Sequence, residues 1–179
     1  YKLCTFSRVM KEKGIEDAIN AVESVNAHFG RTVYTLDIFG QVDVEYKERF
    51  SQLEKSFPDY ISYGGAIEAN KSVETLKSYF ALLFPTYYKG EGFAGTLIDA
   101  ISAGVPVIAS DWKYNPEFVV HGKTGVIIKN CNAERLAEEL INIAAAPEKW
   151  NSMRLSALKE SEKYKPDIAA RPLIDRING

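Results

Sequence analysis

The chain has 179 residues, 46% of them hydrophobic and 26% charged, a composition that builds a globular core and excludes a disordered or low-complexity chain. Its 22 Lys and Arg against 24 Asp and Glu leave a net charge of −2, which argues against nucleic acid or an anionic membrane as the main partner. Two cysteines, Cys4 and Cys131, form no CxxC pair and have no His at ligand spacing, so Cys4 reads as a buried reduced thiol and the cytosol as the default compartment.

Residues 2–6 are an apolar run with strand character and none of the features of a signal peptide. The chain opens on this strand without a Met, so a piece of a longer protein, cut at a domain boundary, is expected. A helix follows over 14–28, where Ile15, Ala18, Ile19, Val22 and Val25 recur at helical spacing and leave Glu16, Asp17, Asn20 and Glu23 to water. Further strands are expected at 33–39, 60–63, 81–84, 107–109 and 126–128. Between and after them come helices at 45–55, 72–79, 96–103, 116–120, 133–145 and 147–163. Periodicity weakens over 166–179, which is expected to pack loosely. No apolar run approaches the roughly 20 residues of a membrane span.

Six strands alternating with helices imply an α/β fold, a doubly wound, Rossmann-like parallel sheet in one domain over residues 1–179. Ligands of such sheets bind at the carboxyl ends of the strands, so the loops after each strand are the ones to read. After the first strand, Arg8 offers a fork for phosphate oxygens and Lys13 a point charge, at the start of a helix with free N–H groups. A solvated basic loop is the plainer alternative. After the third, Gly64 and Gly65 lead into Ala66 and Ile67, either as a tight turn or to let backbone pass close to another group.

After the fourth strand runs the longest loop, containing the stretch GEGFAGTLIDAISAGVPVIAS of residues 90–110. Gly92 and Gly95 permit close backbone approach, and the helix from Thr96 points unpaired N–H groups and its positive dipole end at the same place. Asp99, one turn in, leans back toward that rim, where its carboxylate suits a pair of ribose or sugar hydroxyls. It equally fits a capping box, with Thr96 as the cap and Asp99 reaching back to its N–H. Glu91 is either a solvated loop charge or a second hydroxyl acceptor. Phosphate at the amides with hydroxyls at both acids describes a sugar nucleotide. Gly122-Lys123-Thr124 looks like the end of a phosphate loop, but Glu117 stands where that motif needs a glycine, and 121–125 is read as a turn. Neither His28 nor His121 sits in an arrangement for nucleophilic catalysis.

The ordered set of motifs resembles the retaining GT-B glycosyltransferases of family 4, the glycosyl transferases group 1. The resemblance is carried by Glu91-Gly92-Phe93 through Ser110, with seven residues between Glu91 and a second acid, Asp99. It is also carried by Ser7-Arg8 with Lys13-Gly14, by Ile61-x-Tyr63-x-Gly65, and by Asn115-Pro116-Glu117-Phe118-Val119 with Gly122-Lys123-Thr124-Gly125, and it covers roughly residues 2–145.

The resemblance implies a two-domain enzyme whose C-terminal, donor-binding domain is this chain, with an N-terminal acceptor domain missing and the fragment alone inactive. It implies that Arg8 and Lys13 bind a UDP- or GDP-type diphosphate and that the amides across Gly92, Phe93, Ala94, Gly95, Thr96 and Leu97 cradle phosphate. Glu91 becomes the catalytic-site acid on donor-sugar hydroxyls, Asp99 the ribose contact, and Gly65, Ala66 and Ile67 the loop beside the base. No metal and no cofactor are expected beyond the nucleotide sugar. The implied acceptor is a glycan or a lipid-linked sugar, with the whole enzyme cytoplasmic, at the inner face of the membrane. Two departures stand out: Asp99 is one methylene shorter than the family's Glu, and Ser7 replaces its Gly. They keep a non-catalytic binding domain with a drifted site in view as an alternative, and a GT-B epimerase is a third.

Overall fold

The six apolar runs form six parallel strands in a computed structural model that describes residues 1–178: β1 Lys2–Phe6, β2 Thr35–Phe39, β3 Ile61–Gly65, β4 Ala81–Phe84, β5 Val107–Ser110 and β6 Gly125–Ile128. The sheet order is β3-β2-β1-β4-β5-β6, with every neighbour pairing parallel. This is the doubly wound α/β sheet that the alternation of elements predicts. The order reverses direction between β1 and β4, and the loops after those two strands flank the crevice there.

Helices connect the strands: α1 Ile15–Phe29, α2 Lys47–Glu54, α3 Ser72–Leu76, α4 Gly95–Ser102 and α5 Asn115–Phe118, while α6 Ala133–Ala145 and α7 Pro147–Ser161 follow β6. Both faces of the sheet are covered, so the strands alternate between two cores rather than between core and water. Leu3, Leu83 and Ile108 point to the side where α1 and α6 pack together, and Cys4, Leu82 and Val107 to the side of α3 and α4. On α1 the predicted stripe of Ile15, Ala18, Ile19, Val22 and Val25 is buried, at about 1.5–3 kcal/mol for each large side chain. Cys4 is buried and Cys131 half-buried, and both are free thiols. Burial pushes both upward in pKa, Cys131 to about 12 with help from Asp17.

Most boundaries shift from expectation by one to three residues, the largest at α3, which ends at Leu76 and not at 79. β2 begins at Thr35, not at 33, because the N–H groups of Val33 and Tyr34 are taken by Asn26 Oδ1 at 2.8 and 3.0 Å. α5 stops at Phe118, since Val119 is already extended. The 166–179 stretch is helical but, as expected, loosely packed, with Ile168, Ile174 and Ile177 exposed: α8 Pro166–Ala169 opens on a proline at its first turn, and α9 Arg171–Asn178 follows, while Gly179 lies outside the described residues. Residues 121–125 form the expected turn, in which Thr124 Oγ1 accepts from the Val120 N–H. Among the described residues no helix is long and apolar enough to cross a membrane.

Candidate functional site

The loop after β1 is shaped by its neighbours. Ser7 N–H donates to Phe39 O and Val9 N–H to Gln41 O, which ties the loop to the end of β2. A single 3-10 turn over Lys11–Lys13 then reverses the chain, and Gly14 takes φ 71° to enter α1. Only glycine fits there, because a Cβ would stand 2.4 Å from Pro85 O in the loop after β4. The two loops are in backbone contact at this point, and the Tyr87 N–H donating to Glu12 O at 2.8 Å extends it.

That contact brings Lys13 to Glu91, 78 residues later in the sequence. Lys13 Nζ donates to Glu91 Oε2 at 2.7 Å and to Oε1 at 2.9 Å. The two side chains are 12% and 7% exposed, so this is a buried ion pair and not a surface one. Thr86 Oγ1 donates to Glu91 Oε2 at 2.7 Å. The ammonium also lies 5.1 Å from the Tyr88 ring centroid and 5.7 Å from that of Phe84. An ammonium has three N–H donors, so Lys13 can hold Glu91 and still give one to a phosphate oxygen.

The pair opens onto a cavity of about 210 Å³ lined by Ser7, Arg8, Lys13, Phe84, Tyr88, Glu91, Ala94 and Thr96. Small-molecule sites run to roughly 300–1,000 Å³, so this one accommodates part of an extended ligand. Arg8 reaches it from the rim, 57% exposed, with Nη1 3.5 Å from Asp43 Oδ2. α4 points at it too. Its first helical residue is Gly95 and its N-cap is Ala94, which has no side chain able to cap. The positive end of an eight-residue helix thus meets the cavity without an internal anion.

The structure therefore gathers Arg8, Lys13, Glu91, Ala94 and Thr96 around one space. Others stand elsewhere. Gly92 and Phe93 are on the exposed limb of the loop, and Phe93, 71% exposed, sets its ring edge-on to Phe118 at 5.0 Å. The Leu97 side chain is in the core and its N–H donates to Ala94 O at 3.0 Å, so that amide already has a partner. Gly65 ends β3 and Ala66 and Ile67 follow it, outside this cavity, with Ile67 packed against the core under α3 and α4.

The capping box does not form. Thr96 lies inside the first turn of α4, and Asp99 Oδ2 instead accepts from Ser72 Oγ at 2.6 Å, across on α3. The Ser72 contact was not visible locally, since Ser72 is 27 residues away.

A polar string behind the cavity was also missed. Ser110 Oγ donates to Thr86 O at 2.5 Å, Asn115 Nδ2 to Ser110 O at 3.1 Å, and Trp112 Nε1 to Tyr88 O at 2.7 Å. Together they fasten the loop after β5 to the loop after β4. The available signal was position: Thr86 and Ser110 are small polar residues at or just beyond the carboxyl ends of apolar strands. Burial raises the pKa of the neighbouring Tyr87, and Asp17, Glu12 and Glu16 add to it. Among the described residues no three His, Cys, Asp or Glu side chains gather as a metal site would need.

The family model described as glycosyl transferases group 1 matches residues 1–160. A UDP-N-acetylglucosamine–peptide N-acetylglucosaminyltransferase GtfA subunit of Streptococcus gordonii is 33% identical over 129 residues, 72% of this chain and 24% of its own length. An uncharacterized glycosyltransferase of Methanocaldococcus jannaschii is 25% identical over 146 residues, 79% of this chain and 36% of its own. The chain thus spans about a third or less of these curated relatives. Among solved structures, the C-terminal domain of a glycosyl transferase group 1 family protein from Francisella tularensis matches with a TM-score of 0.77 at 19% identity, over 93% of this chain and 87% of that one. The pneumococcal O-GlcNAc transferase GtfA, in complex with UDP and GlcNAc, matches with a TM-score of 0.81 at 23% identity, over 99% of this chain and 35% of that one. At these identities the two structures speak for the fold.

Proposed function

The chain belongs to the glycosyl transferases group 1 family, and from that premise we propose that it is the donor-binding half of a retaining, family 4 enzyme. That enzyme moves a sugar from a nucleoside-diphosphate sugar to a glycan or lipid-linked acceptor, and its acceptor-binding half lies in a longer protein. The observation that carries this is the cavity at the β1–β4 switch point, where the buried Lys13–Glu91 pair, Arg8 and the uncapped start of α4 converge.

In this reading the diphosphate meets Arg8, the third N–H of Lys13 and the free amides at Gly95 and Thr96. As the bond from the anomeric carbon to the diphosphate breaks, negative charge grows on the leaving oxygen, and these fixed positive groups stabilise it. They do so without a metal or other cofactor. Glu91 accepts from hydroxyls of the donor sugar and fixes its orientation. The nucleoside extends past the start of α4 toward Asp99 and the loop of Gly65, Ala66 and Ile67. A uridine donor is favoured by the 33% identical relative, which uses UDP-N-acetylglucosamine.

The test is calorimetric titration of the full-length protein and its Arg8→Ala variant with UDP, UDP-N-acetylglucosamine and GDP-mannose, followed by transfer assays with and without EDTA. The wild type binds a uridine donor more tightly than the variant does, and turnover survives EDTA. Equal binding by both would remove Arg8 from the site. Tight donor binding with no turnover would favour a non-catalytic binding domain.

A further inference from the structure

Thr86 is completely buried, yet its hydroxyl is one of the two groups that hold Glu91. Glu91 Oε2 accepts from both Lys13 Nζ and Thr86 Oγ1, whereas Oε1 accepts from Lys13 alone. The carboxylate is therefore unsymmetrical: Oε2 is occupied and Oε1 keeps acceptor capacity for a ligand hydroxyl. Thr86 itself has little freedom. Its Oγ1 accepts from the Tyr88 N–H at 3.2 Å, and its carbonyl oxygen is held by Ser110 Oγ at 2.5 Å. Asn115 Nδ2 holds Ser110 in turn.

The hydroxyl also has a reserve acceptor. Glu12 O lies 3.3 Å from Thr86 Oγ1, and a hydroxyl has one proton to give. With Glu91 in place the proton goes to the shorter contact. If a ligand draws Glu91 away, the proton can turn to Glu12 O, so the buried hydroxyl is never left unpaired. Glu12 adjoins Lys13, so Thr86 touches both loops that make the cavity.

We infer that Thr86 is a positioning residue for recognition of the donor's sugar: it fixes one oxygen of Glu91 and presents the other to the sugar hydroxyls. The inference rests on the donor-site reading above. It separates the sugar from the nucleotide, because the Thr86 hydroxyl gives its proton to Glu91, while the diphosphate is met by Arg8, Lys13 and the start of α4.

The experiment compares UDP with UDP-N-acetylglucosamine and UDP-glucose as probes, by calorimetry on the full-length protein, in wild type, Thr86→Val and Thr86→Ser. A hydrogen bond to a charged group carries enough energy for roughly a tenfold effect or more. For Thr86→Val, UDP affinity stays within about twofold, and the affinity ratio of UDP-sugar to UDP falls about tenfold for the sugar that the wild type prefers. Thr86→Ser keeps the hydroxyl and keeps the ratio. In transfer assays KM for the donor rises in Thr86→Val and returns in Thr86→Ser. Equal loss of UDP and UDP-sugar binding, loss of neither, or a ratio that falls as far in Thr86→Ser overturns the role of Thr86 and leaves the donor site standing. A wild type that binds neither UDP nor UDP-sugar overturns the donor reading itself.

Discussion

Replacing Lys13 by Met keeps most of its aliphatic length and removes its charge, leaving the Glu91 carboxylate 7% exposed with Thr86 as its remaining side-chain donor. Were the pair on the surface, the loss would be about 0–1 kcal/mol. At 12% and 7% exposure it belongs with buried pairs, whose single-partner deletions cost about 3–5 kcal/mol. The cavity lets water reach the stranded carboxylate, so the low end, about 3 kcal/mol, is expected. For a chain of this size that is a fall of about 6–12 °C in Tm. Removing the other charge as well, in Lys13→Met/Glu91→Gln, should recover about 2 kcal/mol, because no buried ion is then left alone. Urea unfolding of the 179-residue chain measures all four corners of the cycle. If Lys13→Met costs under about 1 kcal/mol, or if the two changes add without coupling, the pair is solvated in practice and the reasoning from its burial is wrong.

Arg8→Ala should leave stability within about 0.5 kcal/mol, since the side chain is 57% exposed and its contact with Asp43 is a surface pair, while UDP affinity drops about tenfold by calorimetry. Ser72→Ala should cost about 1–2 kcal/mol by depriving Asp99 of its donor, whereas Thr96→Ala should cost under about 0.5 kcal/mol. A working N-cap would instead cost about 1 kcal/mol, so thermal melts of the two variants decide which partner Asp99 has. On α1, Glu16 is held below its ordinary pKa by the hydrogen bond from Arg49, with the Tyr46 hydroxyl helping. A depressed folded-state value means this stabilisation is complete above the ordinary carboxylate range and is lost as pH falls from there through the lowered folded-state value. Arg49→Ala should therefore melt below the wild type at pH 7, with the gap closing below about pH 4.

What could be read from residue order was whatever local pattern decides. β1, β4 and α6 match expectation to the residue, because strands buried on both faces are plain apolar runs and α6 carries an uninterrupted amphipathic stripe. Arg8, Lys13 and Glu91 could be placed near one another because strand order puts their loops side by side. Their pairing could not, since it depends on a contact across 78 residues. Asp99 shows the same limit: the capping spacing was present, but α4 starts one residue earlier, at Gly95, and the carboxylate is taken by Ser72 on α3. The helices after Pro166 escaped notice because they bury little. Ile168, Ile174 and Ile177 remain exposed, so there was no core-facing stripe to find.

The clearance at Gly14 bears on how such a site could be re-engineered. Its missing Cβ is matched to Pro85 O at 2.4 Å, so the loops after β1 and β4 are not independent modules. A library that varies residues 87–90 and 92–94 to change sugar preference can leave the first loop untouched, provided Gly14, Pro85, Thr86 and Glu91 are retained. A graft of the β4 loop onto another scaffold needs a glycine at the matching entry to that scaffold's first helix. Without it the recipient must push its own lysine away from the incoming glutamate, and the transplanted loop arrives without its counter-charge.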